Sequence, residues 1–103
     1  MDSVESLLYL ARQTSVARAT ADLILSSRAA YVFSVTISSN GSGESDAVLR
    51  DGVDATGEIV LDLYCADEEQ HQLEFNVPVY FRKGIFVDYG TNVQSVVVQF
   101  LGA

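Results

Sequence analysis

Nucleophilic catalysis needs an activated thiol or hydroxyl beside a base, and this 103-residue chain offers one cysteine, Cys65, and one histidine, His71. A polar turn, Asp67-Glu68-Glu69-Gln70, lies between them, so neighbouring strands could bring the two together. Side-chain alternation argues against catalysis. Cys65 extends the row Ile59, Leu61, Leu63, and a thiol facing an apolar core is inert because burial disfavours the thiolate. The expected pair is a core cysteine and a solvated or turn-bonded histidine. No GxSxG elbow, CxxC, HExxH, P-loop or GxGxxG is present. The reading is a non-enzyme with no cofactor.

Asp51, Asp54, Glu58, Asp62, Asp67, Glu68 and Glu69 raise the question of calcium, which is held by converging carboxylates and carbonyls. Their spacing matches no EF-hand loop. Asp-Gly pairs and short acidic runs are also what turns recruit for local hydrogen bonds, so no metal site is expected. A third possibility is recognition through aromatic side chains. Tyr64 and Tyr80 fall on the parity opposite the main apolar rows, and Phe86 opposes Ile85 and Val87. Such residues could form a carbohydrate platform. On a small sandwich they more often make a packing surface or subunit interface, where Tyr and Phe are enriched.

These side chains must be positioned by strands. Val4, Leu7, Leu8 and Ala11 recur at helical spacing, with Asp2 and Glu5 disposed as a capping box, which predicts a short amphipathic helix over residues 3–12. So short a helix needs packing partners. The segment 1–13 is therefore an arm that docks either on its own domain or on a neighbour. From residue 16 the period becomes two. One row comprises Ala17, Ala19, Ala21, Leu23 and Leu25; a second comprises Tyr31, Phe33, Val35 and Ile37, opposite Val32, Ser34, Thr36 and Ser38. Asn40-Gly41-Ser42-Gly43 breaks the chain, and a short strand over 47–50 leads to Asp51-Gly52. After the row ending at Cys65 come His71, Leu73, Phe75, Val77, Val79 and Phe81 on one parity, with a bend at Pro78 that predicts an edge or split strand. Ile85, Val87 and Tyr89, then Val96, Val98 and Phe100, complete the inward rows. Seven or eight short strands at regular spacing predict an all-β antiparallel sandwich or jelly roll over residues 14–103.

Composition narrows the function classes. Half the residues are hydrophobic, enough for a core in a domain of this size, and no apolar run reaches the length of a membrane span. The net charge is −8. Six scattered Lys and Arg cannot supply the footprint that phosphate backbones or anionic lipids require, so neither nucleic acid nor membrane is an expected partner. The acidic start, the single Cys and the lack of a basic leader point to synthesis in a reducing, intracellular compartment. The charge is also uneven. Residues 1–39 hold three acids and three bases, whereas residues 40–74 hold ten acids and Arg50 alone, an acidic and outward-facing rim.

The run from Tyr31 to Tyr64, followed by Phe75 to Phe100, resembles small β-sandwich structural proteins of tailed bacteriophage virions. The resemblance rests on Val48-Leu49-Arg50-Asp51-Gly52, on Gly57 to Leu61 with Leu63, on the Phe81 to Val87 hairpin and on Val96 to Val98; Arg50 stands where Tyr or Phe would be expected. It implies a capsid decoration or cement protein, made in the host cytoplasm and located in the virion. Such a protein would be a homo-oligomer, for instance a trimer, bound to the major capsid protein or another virion protein. Val4, Leu7, Leu8 and Ala11 of the arm, together with Tyr64, Tyr80 and Phe86, are the candidate interface residues. The competing expectation is a receptor- or glycan-binding module of a phage fibre or tail.

Overall fold

The computed structural model describes residues 13–103; the arm residues 1–12, with Val4, Leu7, Leu8, Ala11 and the expected helix, lie outside the described residues. The elements described are eight strands: β1 (Ser15–Ala19), β2 (Leu23–Ser26), β3 (Ala30–Ser39), β4 (Ser45–Asp51), β5 (Glu58–Cys65), β6 (Gln70–Phe81), β7 (Ile85–Tyr89) and β8 (Val93–Gly102). Every ladder is antiparallel. One sheet has the order β1-β8-β3-β6 and the other β2-β7-β4-β5. First therefore pairs with last, second with seventh, third with sixth and fourth with fifth. That is one long hairpin, rolled up so that β3 meets β8 and β4 meets β7.

Each sheet turns one face to a shared, sandwich-like core. Val32, Val35, Ile37, Phe81, Val96 and Val98 come from the first sheet, and Leu49, Leu63, Cys65, Ile85 and Val87 from the second. The expected rows of β7 and β8 point inward as their alternation requires. Pro78 sits on an edge strand, because β6 ends the first sheet.

Four expected rows are corrected, each where the period of two is interrupted. Residues 17–25 do not form one row. The chain crosses between sheets after Ala19, so β1 and β2 belong to opposite sheets, Leu23 is exposed and Ala21 lies in the crossing. Tyr89 staples that crossing: its hydroxyl donates to the Ala19 carbonyl, and its amide donates to the Asp22 carboxylate at 2.7 Å. In β3 the registers with both β6 and β8 shift between Val32 and Ser34, so the parity reverses at Phe33. Val32 is wholly buried and Tyr31 points outward, the opposite of the expected row. In β5 a shift opposite Leu49 and Arg50 turns Val60 toward the core and leaves Ile59 exposed. On β6, Phe75 to Pro78 bulge out between the residues opposite Ser34 and Val32, and Val77 at 79% exposure leaves the apolar row it was expected to join.

The turns close tightly at the end of the molecule near Phe81. Gly52 N–H donates to the Gly84 carbonyl at 3.2 Å, and Gly84 holds a φ of 149° that only glycine adopts readily. A Cβ at Gly84 would lie 2.5 Å from the Ser26 carbonyl oxygen and 2.9 Å from that of Gly52. Gly84→Ala should therefore lower the unfolding free energy by about 2–3 kcal/mol in urea melts. Gly41→Ala, which meets nothing within 4 Å, should cost about 1 kcal/mol. Equal effects would contradict the packing argument.

Candidate functional site

The rolled hairpin leaves β5 and β6 as edge strands of opposite sheets, joined by the turn at 66–69, and a cleft of about 340 Å³ opens between them. Cys65 and His71 both line it, with Ile37, Leu63 and Leu73 among its apolar walls. The two candidate catalytic residues thus share a cleft. They are not arranged for catalysis. Cys65 is buried and its Sγ donates to the Glu69 carbonyl at 3.6 Å, while His71 is exposed on the edge strand. Among the described residues no hydrogen bond joins the two side chains. A buried thiol engaged by a carbonyl is not presented as a nucleophile.

Among the described residues, no three His, Cys, Asp or Glu side chains converge as metal ligands. The acids instead hold loops. Asp51 accepts the amides of Arg82 and Lys83 at 3.2 and 2.7 Å, tying the β6–β7 turn to the end of β4. Asp54 accepts the Thr56 amide at 2.9 Å and also its hydroxyl, and Asp67 accepts the Gly43 amide at 3.1 Å. Asp46 accepts the Thr91 amide and hydroxyl at 2.8 and 2.9 Å. Those bonds, the amide first, hold the Asp46 carboxyl below its ordinary value; hydrogen bonds from Thr56 do the same for Asp54. Glu58, Asp62, Glu68 and Glu69 are exposed, so the acid-rich stretch is a solvated rim.

The expected aromatic interface residues do not form one surface. Tyr80 is on the outer face of the first sheet, while Tyr64 and Phe86 belong to the second. Tyr64 is 53% exposed, and hydrogen bonding to the Glu44 carboxylate raises its hydroxyl pKa. Phe86 is half-buried in a row that spans all four strands of its sheet: Ile24 on β2, Phe86 on β7, Arg50 on β4 and Ile59 on β5. Ile24 and Ile59, at 48% and 46% exposure, flank it. Arg50 stays in this apolar row because its head group is engaged, donating from Nε to Asp88 at 2.8 Å and from Nη1 to the Gly57 carbonyl at 2.9 Å. It links three strands or their turns with one side chain.

On the opposite sheet Tyr80 stacks on Tyr31, with ring centroids 5.1 Å apart and planes tilted by 37°. In register beside Tyr31 is Leu101, so Leu101, Tyr31 and Tyr80 form an apolar row on an outer face that also carries Val16 and Val97 among Gln99, Ser34, Glu74, Thr36 and Gln72. Sequence reasoning missed Tyr31 and Ile59 because unseen bulges reversed their parity. Ile24 was legible as outward-facing, but its alignment with Phe86 depends on long-range register. No protein family, curated protein or solved structure matches the chain.

Two measurements check this geometry. A thiol reagent should label Cys65 far more slowly in the native protein than in urea, and His71→Ala should change stability by less than about 0.5 kcal/mol. Because the Asp46 value is lowered on folding, its contribution is complete above pH ~4, the unfolded-chain value, and is lost as pH falls through the folded value. Asp46→Asn should lower stability at pH 7 by about 1 kcal/mol and flatten the acid limb of the Tm profile. An unchanged limb would contradict that role.

Proposed function

We propose that the chain is a non-enzymatic virion structural protein of the capsid decoration or cement type, which oligomerises and binds the major capsid lattice. The observation that carries this reading is the strand order. Pairing of β1 with β8, β2 with β7, β3 with β6 and β4 with β5 is the jelly-roll arrangement, used by viral capsid domains and by lectins. The resemblance of residues 31–101 to phage sandwich proteins points the same way.

Surface chemistry supports it. The Ile24, Phe86, Ile59 row crosses a whole sheet face and offers apolar area flanked by charged Asp88 and Asp62, the anatomy of a modest protein contact. Apolar rows on both outer faces let one copy contact two neighbours, as a lattice requires. The acidic loops would keep a particle surface soluble and repel nucleic acid. The second reading, a receptor- or glycan-binding module of a phage fibre or tail, draws on the Tyr31–Tyr80 pair as a stacking platform.

Co-purification with capsids at a fixed copy number would support the decoration role. Ile24→Asp with Ile59→Asp should cut particle occupancy at least tenfold, while each half-exposed position keeps the isolated domain folded with a Tm within a few degrees of the parent. A protein that stays monomeric, ignores capsids and binds a sugar on a glycan array would transfer the assignment to the second reading.

A further inference from the structure

Strand β5 pairs with β4 alone among the described residues, so its other edge presents every second amide and carbonyl of the strand to the cleft between β5 and β6. Other edges of the sandwich are blunted. That of β6 is interrupted by the bulge from Phe75 to Pro78 and by the missing amide hydrogen of Pro78, while β1 and β2 are only five and four residues long. From Leu61 to Cys65 the β5 register is regular, an open edge of about 17 Å. The cleft beside it has an apolar floor. Ile37, Leu63 and Cys65 are buried at its base, and Leu73 overhangs it from β6, on the inner face because it stands opposite buried Val35.

The charge around this opening is of one sign. Among the described residues, Asp62 and Glu69 line it and no Lys or Arg does. The Asp62 carboxylate takes part in no ion pair or hydrogen bond among them, whereas Glu74 on the β6 side accepts from Gln72 at 3.0 Å. We propose that the β5 edge is a docking site for an extended, cationic segment of another protein, which adds to the four-stranded second sheet as a fifth strand beyond β5. Its alternate side chains divide between two environments. One set, apolar, enters the cleft over Leu63 and beneath Leu73; the other, Lys or Arg, lies on the outer face level with Asp62 and Tyr64. A second copy of this chain does not fit. Antiparallel pairing of two β5 edges would gather Asp62 and Glu58 of both copies along one seam, with no basic residue in either strand. The site does not depend on the virion role.

The test is a titration of the isotope-labelled full chain, followed by NMR, with a capped seven-residue peptide alternating valine and lysine and with its counterpart carrying glutamate for lysine. The lysine peptide should shift the amides of residues 61–65 and slow hydrogen exchange at alternate ones at least tenfold; the glutamate peptide should do neither. Asp62→Lys with Glu69→Lys, at two exposed positions, should keep Tm within a few degrees of the parent and weaken the lysine peptide at least tenfold. Asp62→Asn alone should give a smaller loss in the same direction. Failure of both peptides to bind, or equal binding of the two, would overturn the proposal. Amide shifts without slowed exchange would do so as well, since charge alone would then hold the peptide. So would protection of residues 70–74 in place of 61–65, or protection of β5 in the protein alone that is lost on dilution as a dimer dissociates.

Discussion

A β-strand turns alternate side chains to opposite faces, and the places where this chain suspends that rule determine what it can present to a partner. Of the residues that make the outer rows distinctive, Tyr31 and Ile59 are outside because a bulge has reversed their parity. Without the reversal at Phe33, Tyr31 would occupy the core position that Val32 holds, and the tyrosine pair would not exist. Without the shift in β5, Ile59 would be inside and the row across the second sheet would end at Arg50. Core and surface are thus one arrangement. The register shift that β3 shows against both its neighbours also exports an aromatic ring.

Polar chemistry follows the same economy. The buried Ser45 hydroxyl donates to the Asn92 carbonyl, and no buried side-chain nitrogen or oxygen lacks a partner among the described residues. Asp22, Asp46, Asp51 and Asp67 each accept amides from a segment distant in sequence, so carboxylates serve as cross-links between loops that carry no regular ladder. Each such bond joins a charged acceptor to a backbone donor, the stronger class of neutral-pH hydrogen bond. Arg50 does the converse, spending its guanidinium on Asp88 and a carbonyl so that its stem can lie among apolar neighbours.

Much of the architecture was legible in the sequence, and the misses share a cause. The strand count, the turns at Asn40 to Gly43 and Gly90 to Asn92, the inward rows of β7 and β8 and the edge position of Pro78 follow from local alternation and turn chemistry. The split of residues 17–25 between two sheets, and the reversals at Phe33 and Val60, do not, because they depend on what lies opposite in the fold. The same holds for the site. Outward-facing Tyr64 and Tyr80 could be read from parity, and the buried state of Cys65 from its row. The tie between Tyr31 and Tyr80 spans two distant segments and needed the register of β3 against β6. Acidic residues could be recognised as turn formers, but not which amides they would hold.

The pairing of β1 with β8 has a consequence in time. Ser15 meets Phe100, so β1 has no partner in the first sheet until β8 has been made, and β3 cannot acquire its second neighbour earlier. During synthesis β3 waits, with one edge unpaired, for a strand separated from it by four others. Contacts this remote in sequence place folding in the slow, millisecond-to-second range of all-β topologies. Loss of β8 would therefore leave a sheet split in two, with β1 and β3 both presenting open edges to other chains.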